Sequence, residues 1–599
     1  MILTALNDYY HRLAKENKVP QPGFSTEKIS FALVFNENGE PQQIDDLRDT
    51  TGKKPRARPY QVPVDKRRTS GIHAYPLWDK TAYSLGITAG EGKRLSDEHA
   101  AFKARQLELF RNSDDKSLLA FLKLLDQWQP ETLSSIPGYS EEVLDSNIIF
   151  RLDGQRQYLH ENDNARQIWS TTLEENTGIY GQCLITGEDS TLGTDHPAIK
   201  GVRDAQSSGA SLVSFNSEAY ESYGFRKNQN AATSTSAIFG YTTALNYLLR
   251  GDADNQQRLQ IGDTTLVFWA NAQTSQAAQA AESFFAVLNQ PPSDEQEATK
   301  LGSLLAQVAD GRPLKDVAPE LEPETQFYVL GLAPNAARLS VRFWLVDSLE
   351  HLTKHYAQHY QDLNIQPTPW KGIAPSVWWL TLQTAPIHGA RPKSEDVLPQ
   401  LAGEMMRAII TGKRYPRSLL TNVVMRFRSD GHINGLRIAL CKAVLAREAR
   451  LTTHSNSNQQ EVSVSLDKSS THPGYLLGRL FAELENAQRG ALGKELNATI
   501  RDRYYGAASA TPASVFPMLL RNVQHHLSSM RKKDKGGIAH SIENEISQII
   551  GGLGDTFPRS LRIEEQGRFA IGYYHQSQTR FAKKDSADNE EKAEQGDSE

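Results

Sequence analysis

The sequence predicts an α+β protein: an N-terminal mixed α/β region with short antiparallel sheets, followed by a C-terminal all-α helical bundle. Short β-branched and aromatic runs, such as "TTLVFWA" (264–270), alternate with helical patterns in the first part of the chain. From about residue 396 onward, apolar residues recur with the helical period. The 599 residues are 39% hydrophobic and 23% charged, which is typical of globular proteins with apolar cores.

Shifts in composition predict five regions along the chain. A polar, Ser/Asn-rich segment at 451–470 is the best candidate linker. The last residues are acidic and almost free of large apolar groups, which favours disorder. The predicted regions are an N-terminal α+β region (1–250), a middle α+β region (251–395), a helical region (396–460), a C-terminal helical bundle (461–584) and a disordered acidic tail (585–599).

Three segments carry specific strand signals. A hairpin is predicted at 27–46, where "KISFALVF" is followed by the turn "NENGE". A second hairpin is predicted at 147–159, since Asp153 and Gly154 suit a left-handed turn. Residues 325–360 predict a strand, a turn, a strand and a covering helix, which is an α+β arrangement.

Charge, cysteine content and hydropathy exclude several classes of protein. The net charge is −5, so any nucleic-acid site must be a local patch. Two distant cysteines, Cys183 and Cys441, can form neither a disulfide framework nor a zinc site. No run approaches 18 apolar residues, and the N-terminal segment predicts a first helix, not a signal peptide. The sequence therefore predicts a soluble cytoplasmic protein with no membrane contact.

Motifs for common catalytic chemistry are absent from the sequence. There is no G-x-x-x-x-G-K-[ST] loop, no H-E-x-x-H and no pair of Cys-x-x-Cys motifs. We therefore expect neither a catalytic residue nor a cofactor. His351, His355 and His359 have helical spacing but are interpreted as an ordinary helix face.

One enzymatic alternative remains open, a metal-dependent nuclease. In "TGEDSTLGTDHP", three acids and a histidine lie close together in sequence and have the chemistry to hold Mg²⁺: Glu188, Asp189, Asp195 and His196. Acidic residues this close in a loop are also common turn formers and caps.

A basic segment is the first candidate nucleic-acid contact. Thr51–Gly71 contains seven lysines and arginines against one acid, Asp65, and its prolines predict an extended loop. Its side chains can neutralise phosphates or donate hydrogen bonds to them. The alternative is an ordinary solvated loop. The candidate residues are Lys53, Lys54, Arg56, Arg58, Lys66, Arg67, Arg68, Thr69 and Ser70.

The second candidate is the polar stretch "SFNSEAYESYGFRKNQN" (214–230), which precedes an apolar helix. Neutral side chains such as these can donate and accept hydrogen bonds in the shallow minor groove of DNA. They also cap turns and helices in most loops, so both interpretations stay open. The candidates are Ser214, Asn216, Asn228 and Asn230 for bases, with Arg226 and Lys227 for phosphates.

The C-terminal bundle and its tail have opposite charges. Residues 466–584 contain 17 basic and 11 acidic residues, a net charge of +6, whereas the tail from Asp585 has a net charge of −6. A basic bundle of this kind favours a polyanionic partner. The remaining candidate nucleic-acid-binding residues are Lys200, Arg203, Arg531, Lys532 and Lys533.

Six stretches, in the same order along the chain, carry a family resemblance. Together with the N-terminal "MILTALNDYY", they closely resemble the large subunit of the type I-C CRISPR surveillance complex, the Cascade of that subtype (Csd family). The stretches are "GQCLITGE" (181–188), "HPAIKGVRDAQSSGASLVSFNSEAYESYG" (196–224), "NAATSTSAIFGYTTALNYLL" (230–249), "FYVLGLAPNAARLSVRFWL" (327–345), "YPRSLLTNVVMRFRSDG" (415–431) and "PGYLLGRLFAELE" (473–485).

The resemblance implies a non-catalytic subunit of an antiviral ribonucleoprotein complex. Such a subunit reads the PAM in double-stranded target DNA, while base pairing with the guide RNA (crRNA) reads the rest. It also promotes strand separation and R-loop formation and holds the displaced non-target strand. Its implied partners are the guide-RNA complex with its backbone and foot subunits, and a helicase–nuclease that cuts the DNA. A pure scaffold that touches no base is the remaining alternative.

The resemblance also implies a small subunit translated from an internal start in the same gene. No Met lies near the end of the linker, so we hypothesise a non-AUG start at Val462, Val464 or Leu466. The free copy would carry the basic bundle, which suits a contact along displaced single-stranded DNA. An immunoblot against the C-terminus that shows only the full-length chain would contradict this hypothesis.

Overall fold

The computed structural model describes the chain except for residues 53, 66–67, 69–70, 175–178, 216, 389–390, 453–461, 494–496 and 597–599. Two compact units are present. Unit 1 comprises Met1–Ile199 and Ser211–Tyr247, and unit 2 comprises Lys200–Ala210 and Leu248–Glu599. The predicted α+β class is confirmed, whereas the finer division into five regions stays a prediction.

Unit 1 combines short strands with helices. Its strands are β1 (Phe24–Ile29), β2 (Phe31–Phe35), β3 (Pro41–Asp46), β4 (Arg58–Pro63), β5 (Trp78–Lys80), β6 (Asn147–Leu152), β7 (Ile179–Gln182) and β8 (Asp189–Leu192). Its helices are α1 (Ile2–Lys15), α2 (Thr81–Ser84), α3 (Leu95–Phe110), α4 (Lys116–Gln127), α5 (Asp163–Glu174) and α6 (Thr235–Leu248, whose last residue lies past the boundary).

A four-stranded sheet of order β3-β2-β6-β5 forms the centre of unit 1. Strand β2 is buried along its whole length because both of its faces are covered. Phe31, Leu33 and Phe35 join the larger apolar cluster with residues of α3 and α4, whereas Ala32 packs with Trp78 in a smaller one. A strand buried on both faces reads as a continuous apolar run, which explains "FALVF".

One predicted hairpin is confirmed and the other is wrong. Strands β2 and β3 pair antiparallel within the predicted 27–46 hairpin, and the side chain of Asn36 accepts hydrogen bonds from the N–H groups of Asn38 and Glu40. No hairpin forms at 147–159, because β6 already pairs with β2 on one side and with β5 on the other. After a turn, the chain enters the 3-10 helix Leu159–Glu161.

Unit 2 begins with strands and continues with helices. Its strands are β9 (Arg258–Ile261), β10 (Thr264–Asn271), β11 (Gln326–Asn335), β12 (Arg338–Ser348), β13 (Ile387–His388) and β14 (Arg391–Pro392). Its helices are α7 (Ser275–Asn289), α8 (Glu295–Ala309), α9 (Leu314–Val317), α10 (Leu349–Leu363), α11 (Val377–Leu382), α12 (Leu401–Thr411), α13 (Arg417–Ser429), α14 (Gly435–Thr452), α15 (Pro473–Leu492), α16 (Ile500–Ala510), α17 (Pro512–Lys532), α18 (Gly536–Leu553) and α19 (Ile563–Gly596).

The antiparallel sheet of unit 2 has the order β12-β11-β10-β9. The prediction for 325–360 is confirmed, since β11 and β12 pair and α10 follows directly. Phe268 and Phe327 of the sheet pack against Phe285 of α7. The same apolar cluster continues through α12–α14 into the C-terminal helices, so the helical part of unit 2 shares one core with its sheet.

Helix α15 lies at the centre of the C-terminal helices and approaches α19 closely. A Cβ atom at Gly478 would collide with the carbonyl oxygen of Phe569, and one at Gly572 would collide with that of Tyr475. Glycine is required wherever two backbones come this near. Helix α19 continues to Gly596, and the predicted disorder of residues 585–599 stays a prediction. No helix in the described part of the chain is both long and apolar enough to span a bilayer.

A buried ion pair joins α10 to α14. Nε of Arg447 lies 2.7 Å from Oδ2 of Asp362, and Nη1 of Arg450 lies 2.7 Å from Oδ1 of the same carboxylate. The Arg447 and Asp362 side chains are 0% and 1% exposed. The Arg447 guanidinium also stacks over Tyr415, which precedes α13. Charges this deeply buried are tolerated only when they are paired.

We expect Asp362→Ala to lower the free energy of unfolding by about 3–5 kcal/mol, because it leaves the Arg447 charge buried without its carboxylate. Urea unfolding followed by circular dichroism measures the shift in midpoint. Glu448→Ala is the matched control, since its partner Arg414 and Glu448 itself are 56% and 48% exposed. Glu448→Ala should lower the free energy of unfolding by only about 0–1 kcal/mol. Equal shifts in midpoint for the two variants would contradict the stabilising role of the Asp362–Arg447 pair.

Candidate nucleic-acid interface

The basic segment 51–71, predicted as an extended loop, contains strand β4 at Arg58–Pro63. This strand pairs antiparallel with β1, from Arg58 opposite Ile29 to Pro63 opposite Phe24. Just before it, Asp49 and Arg56 exchange two backbone hydrogen bonds of 2.7 and 3.0 Å. Residues 54–63 therefore form a β-arm held by β1, and Pro59 and Pro63 suit an edge strand.

The β-arm displays three of the predicted cations. The side chains of Lys54, Arg56 and Arg58 are exposed and form no ion pair with another described residue. Side chains two residues apart in an extended chain point to the same face, so Arg56 and Arg58 form a pair of neighbouring charges. This spacing suits two successive phosphates of a nucleic-acid backbone.

Arg68 is engaged inside unit 1. Its Nη2 lies 2.6 Å from Oδ2 of Asp79, and its Nε donates to the carbonyl of His73 at 2.7 Å. Its guanidinium lies 3.7 Å from the ring centroid of Tyr83. Asp79 is 1% exposed, and burial raises the pKa of its carboxyl above the usual value. The Arg68 charge thus balances an internal carboxylate, and Arg68 is not part of the proposed surface. Lys53, Lys66, Arg67, Thr69 and Ser70 lie outside the described residues.

The polar stretch 214–230 contains a braced turn. Ser222 and Phe225 are joined by a backbone hydrogen bond of 2.9 Å, and both residues between them have positive φ: 55° for Tyr223 and 77° for Gly224. Two consecutive positive φ values define a type I′ turn. The carboxamide of Asn230 accepts from the N–H of Ser222 and donates to the carbonyl of Phe225, both at 3.1 Å. Asn230 is therefore the brace of this turn.

The turn presents an aromatic residue that the sequence analysis missed. Tyr223 is 99% exposed, Phe225 is 52% exposed and Tyr220 is 43% exposed. A bulky residue with positive φ is uncommon and costs about 1–3 kcal/mol, so the Asn230 brace is needed to hold Tyr223 there. The signal in the sequence was "YGF", a glycine between two aromatic residues in a polar loop.

The other predicted residues of this stretch have different environments. Arg226 is exposed, and Ser214 is half-buried. Lys227 and Asn228 begin the 3-10 helix Lys227–Ala231. Asn216 lies outside the described residues. The role of each as a base or phosphate contact stays a prediction.

The hairpin β7–β8 supports the base of the polar stretch. The N–H of Leu184 donates to the carbonyl of Ala232 at 2.8 Å, and the N–H of Ser234 donates to Sγ of Cys183 at 3.2 Å. Cys183 is fully buried by this contact. The braced turn is therefore attached to a second hairpin as well as to α6.

The remaining candidates belong to unit 2. Lys200 and Arg203 are exposed, and Nε of Arg203 lies 3.6 Å from the carboxylate of Asp204. Arg531 pairs with Glu543 at 2.6 Å, and Nζ of Lys533 donates to the carbonyl of Ala491 at 2.8 Å. Lys532 is exposed. The candidates thus form separate groups, two in unit 1 and two in unit 2.

The structure also locates the residues of the metal-dependent alternative. Nδ1 of His196 lies 2.5 Å from the hydroxyl of Tyr241, and the described residues contain no group of three His, Cys, Asp or Glu side chains arranged to hold a metal. The helix-face histidines are hydrogen-bonded too: His351 to Asp347, His355 to the carbonyl of Ile410 and His359 to Tyr415. Burial lowers the pKa of His359 to about 3.

Comparison with protein families adds the decisive observation. The model of the CRISPR-associated protein family Cas_Csd1 matches residues 6–581. The chain belongs to the CRISPR-associated Csd1 family. The resemblance predicted from six sequence stretches is confirmed, and the β-arm and the braced turn both lie within the matched part of this Csd1 protein. A search of curated proteins finds no match.

The Asn230 brace of the Csd1 protein is directly testable. We expect Asn230→Ala to loosen the turn, because the Ser222 N–H and the Phe225 carbonyl lose their partner. Limited chymotrypsin digestion should then cut after Tyr223 and Phe225 several times faster. Asn230→Asp is the control, since it keeps the oxygen that accepts from the Ser222 N–H. Its cleavage rate should lie between those of the wild type and Asn230→Ala. Equal cleavage of all three proteins would refute the bracing role.

Proposed function

We propose that this Csd1 protein is the non-catalytic large subunit of a type I-C CRISPR RNA-guided surveillance complex, a cytoplasmic Cascade. In this role it recognises the PAM in double-stranded DNA, promotes strand separation and R-loop formation, and recruits a helicase–nuclease. The observation that supports this function best is the braced turn, which holds the backbone of Tyr223 at positive φ and leaves its ring almost fully exposed, close in sequence to the exposed Arg226.

An exposed aromatic ring carried by a braced turn at the tip of a polar loop suits contact with base pairs. Apolar and aromatic side chains inserted between base steps unstack them, at a cost of a few kcal/mol that other contacts must offset. An aromatic ring that stacks on an exposed base recovers about 1–3 kcal/mol. Because the turn is already ordered in the free protein, little conformational entropy is lost when Tyr223 meets DNA.

Phosphate binding must come from another part of the chain. The stretch 214–230 carries Arg226 and Lys227 but also Glu218 and Glu221, so its net charge is zero. The β-arm supplies the missing charge through Lys54, Arg56 and Arg58. We therefore assign base contacts to the polar stretch and sequence-independent phosphate contacts to the β-arm, the usual division in protein–DNA interfaces.

Cleavage is assigned to the recruited helicase–nuclease and not to this chain. Among the described residues, no group of three His, Cys, Asp or Glu side chains is arranged to hold a metal, and the exposed acids Glu188 and Asp189 belong to the β7–β8 hairpin through their backbone. Asp189 opens β8, opposite Gln182 of β7, and the Glu188 carbonyl accepts from the N–H of Cys183 at 2.8 Å. Chelator-sensitive DNA cleavage by the isolated protein, lost in Asp189→Ala, would contradict this assignment.

Tyr223→Ala should impair strand separation in the assembled guide complex. With the ring removed, we expect affinity for a duplex target to fall about 5- to 150-fold, as for the loss of one stacked base. A fluorescent base analogue next to the PAM should report less unstacking. Tyr223→Phe keeps the ring and should behave like the wild type, and a target with a pre-opened bubble should restore binding by Tyr223→Ala.

The double variant Arg56→Ala/Arg58→Ala is the comparison for that experiment. It should weaken binding to all PAM variants alike and reduce the slope of log affinity against log salt by about 2, since two phosphate contacts are lost. Unchanged duplex binding in both the Tyr223 and the β-arm variants would show that the DNA-reading surface lies elsewhere. PAM-independent binding by the wild-type complex would favour a scaffold instead.

A further inference from the structure

A cavity of about 350 Å³ lies among α15, α16 and α17 in unit 2. Small-molecule sites range from about 300 to 1,000 Å³, so the space suits one small organic group. Its apolar part comes from Leu484 of α15 and from Leu519 and Val523 of α17. None of these residues belongs to the β-arm or to the braced turn, both of which lie in unit 1.

Polar side chains with unused hydrogen-bonding groups surround the cavity opening. Arg503 and Asn522 line it and are exposed, and neither makes a side-chain hydrogen bond or an ion pair with another residue in the described part of the chain. Tyr504 and His526 line it too, and both are half-buried. Burial and the neighbouring His525 charge lower the pKa of His526, so its ring is mainly neutral near pH 7.

These groups match the chemistry of a nucleobase. A carboxamide both donates and accepts, as the edge of every base requires, and a neutral imidazole does the same through its two nitrogens. The tyrosine ring and the leucine side chains offer apolar surface to the face of the base. The Arg503 guanidinium, at the opening, suits the phosphate attached to the same nucleotide.

The surface next to the cavity has a positive net charge, with Arg531 paired to Glu543 at 2.6 Å. Between residues 521 and 535 there are five lysines and arginines and one acid. Nζ of Lys533 donates to the Ala491 carbonyl at 2.8 Å and Nζ of Lys535 to the Gly490 carbonyl at 3.3 Å. Leu492, which follows directly, lines the cavity. The positive end of α17 and the cavity therefore adjoin one another at the C-terminus of α15.

We propose that this cavity takes up one unstacked nucleobase of a single-stranded nucleic acid, while the adjoining basic surface binds the phosphates of the same strand. The occupant is single-stranded because the bases of a duplex are stacked and cannot enter a side pocket without being flipped out. The identity of the strand as the displaced DNA rests on the proposed function, whereas binding of a base does not.

The test compares two strands of equal length, one of oligo(dT) and one with an abasic backbone, bound to the full-length protein in fluorescence anisotropy titrations. The wild type should bind oligo(dT) about tenfold more tightly, the range expected for one stacked base. Asn522→Ala should reduce this preference, and Arg503→Ala should weaken the binding of both strands. The neighbours Gln524 and Arg521 are exposed on the same helix and do not line the cavity.

The control variants separate the cavity from the general charge of the helix. Gln524→Ala should keep the full preference for bases, and Arg521→Ala should weaken both strands equally with the preference intact. The proposal is overturned if the wild type binds both strands alike, or if Asn522→Ala keeps the full preference. PAM-dependent duplex binding by the guide complex is measured in parallel with Asn522→Ala, so failure of the cavity and failure of the proposed function give different results.

Discussion

Ion pairs between arginine and carboxylate side chains, each with at least one buried partner, fix the internal packing of each unit. Arg68 meets Asp79 in unit 1, and in unit 2 Arg447 meets Asp362, Arg437 meets Asp430 and Arg479 meets Glu545. Each of these pairs joins segments that local secondary structure leaves separate. Because an unpaired charge is so costly in the interior, each pair fixes one arrangement of its segments. The cations that remain outside are the ones free to meet a polyanion.

The difference between paired and exposed cations also appears in the candidate interface. Arg68 and the β-arm cations share one basic stretch of sequence, yet Arg68 lies inside while Arg56 and Arg58 are exposed. In the polar stretch, too, one residue stabilises the fold and another is exposed to solvent. Asn230 holds the turn by its two hydrogen bonds, and Tyr223 carries the exposed ring. In the proposed function, phosphate contacts and base contacts are therefore assigned to different segments of unit 1, each held by its own internal contacts.

The C-terminal helices contact one another and also contact the rest of unit 2. The contact between α15 and α19 through Gly478 and Gly572 is internal to the predicted bundle and would survive in a separate copy. Other contacts would not survive, because Val462 is buried in the common core and the Val464 carbonyl accepts from the N–H of Gln366 at 2.9 Å. A small subunit that starts near these residues would thus expose apolar surface that the full-length chain covers.

The α+β class, the hairpin at 27–46, the strands and helix of 325–360 and the segments that hold the candidate site could all be predicted from the sequence. These features follow from periodicity and turn residues, which are local properties of the chain. The inner position of β6 in its sheet, the pairing of Arg68 with the buried Asp79 and the bracing of the Tyr223 turn by Asn230 became visible only in the folded structure. Strand partners and charge partners come from distant positions, so their contacts exist only once the chain has folded.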